Sequence, residues 1–591
     1  MNKKTNSLTK LLPYIKPYKW GIIITILMIL VTTMTFSITP MFEGQITTQL
    51  VQDVANMNAG LQASISFDII FKVLMFLAIL YGIKTLSQAI MSFTLTNAIQ
   101  NSMHDLRKDL EAKIHQLPVS YFDTHQYGDI LSRMTNDVDT VSNALQQTLT
   151  NILSGALSLI LAIAMMFKIN GLMTGIVLLL IPASLLITKT VVHYSQKKFK
   201  AQQDALGKLN GTITEMYSGY QEIILYNRQE QAKETFSKTN QTLCENAFKA
   251  QFLSSLMSPL ISLCTYLCIG SVAVVGSLFA MQGTITVGNL QAFVRYIWQV
   301  NDPLSQISSL SSQIQSAFAA LSRIFEVLEE KEEVADVAHP TILKQPQGNV
   351  SFEHVKFGYN PQNILINDLN ATIKAGQMVA IVGPTGAGKT TLINLLMRFY
   401  DVLDGAIKID GVDIRDMKRD DLRQLFGMVL QDTWLFSDSI YENLRYGRID
   451  ATNDEIIEAS KMANVDHFIR TLPDGYHTII NEEANNISQG EKQLLTIARA
   501  ILKEPQILIL DEATSSVDTR IEKMLQEAMH NVMQGRTSFV IAHRLSTIKK
   551  ADLILVIDHG EIVEQGTHES LMAKQGYYEK LYNSQFANQE E

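Results

Sequence analysis

The sequence predicts a membrane all-α domain of six helices followed by an α/β domain built around a phosphate-binding loop. Three observations predict it. Residues 20–42, 140–167, 169–188 and 250–294 contain no Lys, Arg, Asp or Glu, and a helix needs about 20 apolar residues to cross the core of a bilayer. Gly383-Pro384-Thr385-Gly386-Ala387-Gly388-Lys389-Thr390 fits the spacing G-x-x-x-x-G-K-[ST]. Ile507-Leu508-Ile509-Leu510 is an apolar run ending in Asp511-Glu512, the pattern of a buried strand that delivers carboxylates to a phosphate site at its C-terminal edge.

The membrane domain is expected over 1–325. Adding 69–95, with Lys72 and Lys84, and 290–310, with Arg295 and Asp302, to the charge-free runs gives six spans at about 20–42, 69–95, 144–167, 170–190, 252–280 and 288–312. Orientation follows the Lys and Arg bias. The N-terminus, 96–143 and 191–249 carry clustered Lys and Arg, whereas 43–68 has three acids and neither base, and 281–289 has no charge. Both termini therefore face the cytoplasm. The first apolar run is full span length with no A-x-A-like site, so it reads as a span and not a cleavable signal. The polar connections 96–143 and 191–249 are too long for turns, and each is expected to continue a membrane helix into the cytoplasm and return.

Residues 326–347 read as a linker. They are rich in Glu, with Glu326, Glu329, Glu330, Glu332 and Glu333, and contain Pro340 and Pro346. The second domain then occupies 348–591. Around its phosphate loop, 379–382 reads as a buried strand and 391–399 as a helix, the context in which backbone N–H groups turn toward phosphate oxygens. Lys389 would reach the β/γ-phosphates and Thr390 would ligate Mg²⁺. Asp511 would hold the same ion, Glu512 would polarise an attacking water, and His543, at the end of the apolar strand 538–542, would contact the γ-phosphate. Asn486-Ile487-Ser488-Gln489-Gly490-Glu491 precedes a helical pattern at 494–502, so Ser488 and Gly490 sit where a helix begins and an anion is favoured.

Tyr359, the phosphate loop, Gln431, the Ser488–Gly490 turn, Asp511-Glu512, Asp518 and His543 occur in an order and spacing that resembles the nucleotide-binding domain of ATP-binding cassette (ABC) transporters of exporter type. The resemblance covers about 350–585. It implies that ATP is held by Tyr359, Gly383, Pro384, Thr385, Gly386, Ala387, Gly388, Lys389, Thr390, Thr391, Gln431, Ser488, Gln489, Gly490 and Asp518. Tyr359 would stack on adenine, and Mg²⁺ would lie on Thr390, Gln431 and Asp511. Glu512 and His543 are the implied catalytic residues, and Glu482 would contact the intracellular loops. Tyr121-Phe122-Asp123 with 128–133 resembles the first coupling region of the family, and the stretch around Glu215, Gly219 and Tyr226 the second.

The chain departs from the family at one motif. The usual signature is Leu-Ser-Gly-Gly-Gln, whereas this chain has Ile487-Ser488-Gln489-Gly490-Glu491. Because the signature of one cassette completes the ATP site of another, the resemblance implies a second half-transporter. Two copies of this turn would impair both sites, so a heterodimer is favoured over a homodimer. The implied activity is ATP-driven export of amphipathic small molecules of multidrug type by alternating access. The alternatives are a lipid or peptide exporter, a homodimeric exporter, or a non-transporting regulator or channel. Lys84, Arg295 and Asp302 are candidates for the pathway, since charges in spans face a cavity or a partner, and interhelical pairing is the alternative for each.

Composition narrows the classes further. A net charge of −9 with no basic patch gives no nucleic-acid footprint. Three cysteines, Cys244, Cys264 and Cys268, argue against a disulfide framework or metal cluster.

Overall fold

The computed structural model describes residues 2–61, 64–360, 362–430, 433–481, 486–511, 519–542 and 545–585, without the side chains of 2–8, 304–312, 519, 545, 546 and 585. The chain divides into two compact units, Met1–Leu117 with His125–Lys331, and Pro118–Thr124 with Glu332–Glu591.

The regular secondary structure of the first unit is all helical among its described residues, because a chain in lipid must bond every backbone N–H and C=O internally. Its helices are α1 (Asn2–Ile15), α2 (Lys19–Asn58) and α3 (Phe67–Ile114). After α4 (Val119–Thr124), which belongs to the second unit, come α5 (Tyr127–Ser132), α6 (Val138–Ile169), α7 (Gly171–Leu178) and α8 (Leu180–Ser218). The series ends with α9 (Tyr220–Leu225), α10 (Gln229–Ser255), α11 (Met257–Met281) and α12 (Val287–Leu328).

Among the described residues five helical stretches are long and apolar enough to cross a membrane: Thr9–Asn58, Phe67–Ile114, Tyr127–Ile169, Gly171–Ser218 and Gln229–Met281. The expected sixth span, 288–312, lies inside α12, which carries Arg295 and Asp302. At 48 residues, α3 is about 72 Å long, more than twice the roughly 30 Å of a bilayer core. Helices α3, α8 and α10 thus carry the 96–143 and 191–249 connections as extensions of membrane helices, as the sequence predicts.

Threonines are tolerated in α2 because their hydroxyls bond back to the carbonyl one turn earlier, as Thr33 does to Ile29 and Thr39 to Thr35, both at 2.7 Å. The core between α6, α7, α11 and α12 is apolar, with Met166, Met173, Val272, Phe293, Ile297 and Val300 fully buried. Tyr296 is buried there too and donates its hydroxyl to the Ser37 carbonyl at 2.8 Å.

Helices α2 and α12 approach most closely at two glycines. A Cβ on Gly288 would lie 1.7 Å from the Gly44 carbonyl oxygen, and one on Gly44 would lie 2.3 Å from the Gly288 oxygen. Small residues let membrane helices pack at this distance. At the other end, α12 is tied by charge to a π-helical turn at Arg133–Asp137. Arg323 donates Nε to Asp137 at 2.7 Å, and Arg133 pairs with Asp129 at 2.8 Å and with Glu326 at 3.3 Å.

The second unit is α/β, with two sheets. An antiparallel sheet runs β2-β1-β4-β5, where β1 is Val350–Phe357, β2 Ile366–Ile373, β4 Asp404–Ile409 and β5 Val412–Asp413. A six-stranded sheet runs β10-β9-β3-β8-β7-β6. Here β3 is Met378–Val382, β6 Phe426–Val429, β7 Ile507–Asp511, β8 Thr537–Ile541, β9 Leu553–Asp558 and β10 Glu561–Gly566. All pairings in it are parallel except that of β10 with β9. Strands covered on both faces read as unbroken apolar runs, which is why β3, β7 and β8 stand out in the sequence.

The glycine contact yields a direct test. Gly288→Val forces two backbones apart and is expected to cost the first unit about 1–3 kcal/mol, read as a fall in melting temperature of the detergent-solubilised chain. Gly82→Ala, which has open space, should leave the melt unchanged. Equal melts for wild type and Gly288→Val would refute the contact.

Candidate functional site

The site grows from the C-terminal edge of the six-stranded sheet. β3 lies between β8 and β9, and the register aligns Ile381 with Ile541 and Ile541 with Asp511. The phosphate loop at the end of β3 and the acid at the end of β7 therefore open on one edge, two strands apart. Such an edge is where ligands bind in parallel sheets.

The loop turns through Gly386 and Gly388, whose φ angles of 83° and 104° lie in the left-handed region that only glycine adopts without strain. Gly388 is the N-cap of the helix Lys389–Leu396, so the loop ends in a helix N-terminus with free N–H groups. The Lys389 ammonium donates to the carbonyls of Gly383 at 2.7 Å and Pro384 at 3.0 Å. Burial lowers the pKa of Lys389, and the negative charge of Asp511 opposes that shift. An ammonium short of water and near a carboxylate is prepared for an anionic ligand.

Thr385, Gly386 and Thr390 are exposed, and Ala387 and Thr391 are buried. Thr391 shares a hydrogen bond of 3.1 Å with the Tyr359 hydroxyl. Tyr359 is 54% exposed and meets Phe357 and Tyr400 edge-on, with ring centroids 5.2 and 5.0 Å apart. Its position is set by β1 and by the first turn of the helix after the loop.

The signature turn starts a helix where the sequence places one. The helix Gln489–Lys503 has Ser488 as N-cap, and Glu491 folds back to complete a capping box. The Glu491 carboxylate accepts from the Ser488 N–H at 2.9 Å and from the Ser488 hydroxyl at 2.6 Å. Gln489 is exposed and Gly490 buried. The S-x-x-E spacing signals this box, and it was present in the sequence as Ser488 and Glu491.

Gln431, Glu482, Glu512, Asp518 and His543 lie outside the described residues. Of the residues expected at the site, the structure brings together Tyr359, the phosphate loop through Thr391, and Asp511. Ser488, Gln489 and Gly490 belong to a different edge of this unit and share no hydrogen bond with the loop among the described residues.

Two features escaped the sequence. Tyr400 donates its hydroxyl to Asp123 in α4, joining that short helix to the Phe357-Tyr359-Tyr400 cluster. The acids of the linker are also engaged. Arg419, 6% exposed, pairs with Glu333 at 3.2 Å, Asp336 at 2.8 Å and Asp401 at 3.3 Å. Arg423 reaches Glu333 at 3.0 Å, and Arg398 reaches Asp401 at 3.0 Å. Glu333 and Asp336 are thus docked on a buried arginine of the second unit.

Comparison with known proteins agrees with this layout. Residues 22–304 match the ABC transporter transmembrane region family and residues 366–515 the ABC transporter family. A fatty acid ABC transporter ATP-binding/permease protein of Mycobacterium tuberculosis is 48% identical over 483 residues, covering 82% of this chain and 76% of that protein. An ATP-dependent lipid A-core flippase of Syntrophus aciditrophicus is 35% identical over 82% of this chain and 81% of its own length. Among solved structures, a bacterial Atm1-family ABC exporter with ATP bound superposes with a TM-score of 0.75 at 28% identity, over 96% of this chain and 98% of that one.

The arginine cluster is testable apart from any activity. Arg419→Ala removes the buried guanidinium shared by Glu333, Asp336 and Asp401 and leaves them only Arg398 and Arg423, a loss expected to cost up to about 3 kcal/mol. The expected result is a lower unfolding midpoint in urea and faster proteolysis near residue 336. An unchanged midpoint would mean the linker acids are not held there.

Proposed function

Because the chain belongs to the ATP-binding cassette transporter family, as a multi-pass membrane exporter whose cytoplasmic cassette hydrolyses ATP, we propose that it is one half of a heterodimer exporting amphipathic molecules. In that pair it supplies the catalytic carboxylate of the competent site. The observation that carries this is the Ser488–Glu491 capping box. In the closed pair each signature serine faces the other chain's nucleotide. Here the Ser488 hydroxyl proton is directed at a carboxylate 2.6 Å away, so the serine has no proton to give a phosphate. The carboxylate also adds like charge where the phosphate must dock. A glutamine in its place, as in the usual signature, could reach back to the turn without the charge. The defect falls on the site built by the partner's phosphate loop and spares the one built by Lys389.

In the spared site the chain's own groups take distinct tasks. Loop N–H groups and Lys389 bind and orient the phosphates, and Tyr359 stacks on the base. Glu512 orients water and accepts its proton, and His543 helps hold that arrangement. Gln431 and Asp518 couple the site to the membrane domain and to the opposite cassette. The exposed Thr390 hydroxyl and Asp511 are hard oxygen donors on one sheet edge, which suits Mg²⁺ held by one or two protein oxygens and by phosphates. That ion neutralises charge on the transferring group.

The cargo class is supported by the names of the two relatives, one a fatty acid transporter and the other a lipid A-core flippase. Both cargoes are amphiphiles. The multidrug breadth expected from the sequence is a wider version of the same class.

Purified alone, the chain is expected to hydrolyse ATP poorly. Paired with a half-transporter carrying a standard signature, it should gain turnover that Glu512→Gln lowers roughly 100-fold while nucleotide trapping persists. Glu491→Gln should raise the activity of the lone chain several-fold. Phosphate release and trapping measured in parallel decide the matter. Vigorous ATPase from the unmodified chain by itself would restore a homodimer.

A further inference from the structure

The first unit contains a cavity of about 330 Å³ walled by α2, α3, α6 and α12. Eight of its fourteen lining residues carry a hydroxyl or a side-chain amide on an otherwise apolar wall, and its charged residues are Lys84 and Asp302. Arg295, the other charged candidate, is absent from that wall; it lies 3.6 Å from Glu43 and is 65% exposed.

The two charges are not equivalent. Asp302 is already engaged within the chain. The Lys84 ammonium lies over the Phe36 ring, 4.3 Å from its centroid, and pairs with no carboxylate among the described residues. A cation over an aromatic face is partly stabilised, but in a membrane helix it has no ion-pair partner among the described residues, although Asp302 shares its wall. Phe36 also fixes the neighbouring polar group, since Gln299 Nε2 donates to the Phe36 carbonyl at 3.2 Å. That leaves Gln299 Oε1, in a residue lining the cavity, buried and without a hydrogen-bond partner, as Thr32 Oγ1 is. Gln299 is 5% exposed, and an unpaired buried acceptor carries a desolvation penalty that a donor would remove.

We propose that this cavity binds the head group of an anionic amphiphile, with its charged oxygens on Lys84. The inference rests on the export reading above and narrows its substrate class. A carboxylate or a phosphate ester would satisfy Lys84 equally. Gln299 Oε1 distinguishes them, because it accepts from a hydroxyl, which a phosphoglycerol head has and an ionised fatty carboxylate lacks.

The test is binding of radiolabelled lysophosphatidylglycerol to the full chain in nanodiscs of zwitterionic lipid, without nucleotide. Competitors are palmitate, lysophosphatidylcholine and hexadecyltrimethylammonium. Unlabelled lysophosphatidylglycerol and palmitate are expected to compete and the other two are not. Lys84→Gln should raise Kd at least tenfold, and Lys84→Arg should stay within threefold of wild type. Palmitate weaker than the lysolipid, with the difference lost in Gln299→Leu, supports a hydroxyl-bearing phosphate head. Palmitate equal or stronger supports a fatty carboxylate on the same lysine. Binding unaffected by Lys84→Gln in a variant that melts like wild type, or equal competition by the cationic amphiphile, overturns the proposal. ATP-driven uptake into inverted vesicles is scored separately: its absence for every probe sinks the export reading, whereas uptake indifferent to head-group charge sinks only the anion site.

Discussion

The nucleotide-binding unit depends on a loop that must stay open with no ligand to hold it. Lys389 does this by donating to the Gly383 and Pro384 carbonyls, which would otherwise be two acceptors turned into a half-buried turn. The lysine thereby keeps its ammonium where phosphate oxygens must arrive. Everything else at that edge is arranged around it. β3 is fixed between two parallel neighbours, the left-handed glycines close the turn, and Asp511 on β7 lends the negative charge that offsets part of the desolvation of Lys389. A phosphate replaces the two carbonyls as the lysine's acceptor, so binding exchanges hydrogen bonds and does not create them from nothing.

The signature turn shows local stability and function drawing on the same atoms. A capping box satisfies the first N–H groups of the helix Gln489–Lys503 and contributes to helix stability on the order of 1 kcal/mol. The helix needs that start, since its inner face is buried from Leu494 to Leu502. Yet the hydroxyl that caps is the hydroxyl the family uses across the dimer. With glutamate as the reciprocating residue, the box is charged and closed on itself. One substitution at position 491 can therefore leave the helix intact and change what its N-terminus offers to a second cassette.

Much of this was legible in the sequence, for physical reasons that differ between the units. Charge-free runs of span length admit one solution in lipid, so α2, α6, α8 and α11 could be placed without a structure. The phosphate loop was legible because the glycines, lysine and flanking apolar strands constrain each other at fixed spacing. The sixth span was harder, since α12 mixes Arg295, Asp302 and a run of serines into a helix held by the Gly44–Gly288 contact and by Arg323 on Asp137. None of those contacts has a local signature. The ion pairs of the linker acids have none either. Glu333 and Asp336 look solvated until the fold brings Arg398, Arg419 and Arg423 beneath them.

The hardest feature to read was the membership of α4. It lies in sequence between two helices of the membrane unit, yet folds as part of the other unit. Its anchor is the bond from Tyr400 to Asp123, and Tyr400 meets Tyr359 edge-on. The Tyr359 hydroxyl in turn shares a hydrogen bond with Thr391, in the first turn of the helix that the phosphate loop starts. Four side chains thus connect α4 to the residue behind the phosphate site, and every link is a hydrogen bond or a packed ring. Adjacency of this kind is not yet a coupling energy. It does mean that a base stacked on Tyr359 would press on the ring that meets Tyr400, which also packs on Phe357 and bonds Asp123 of α4.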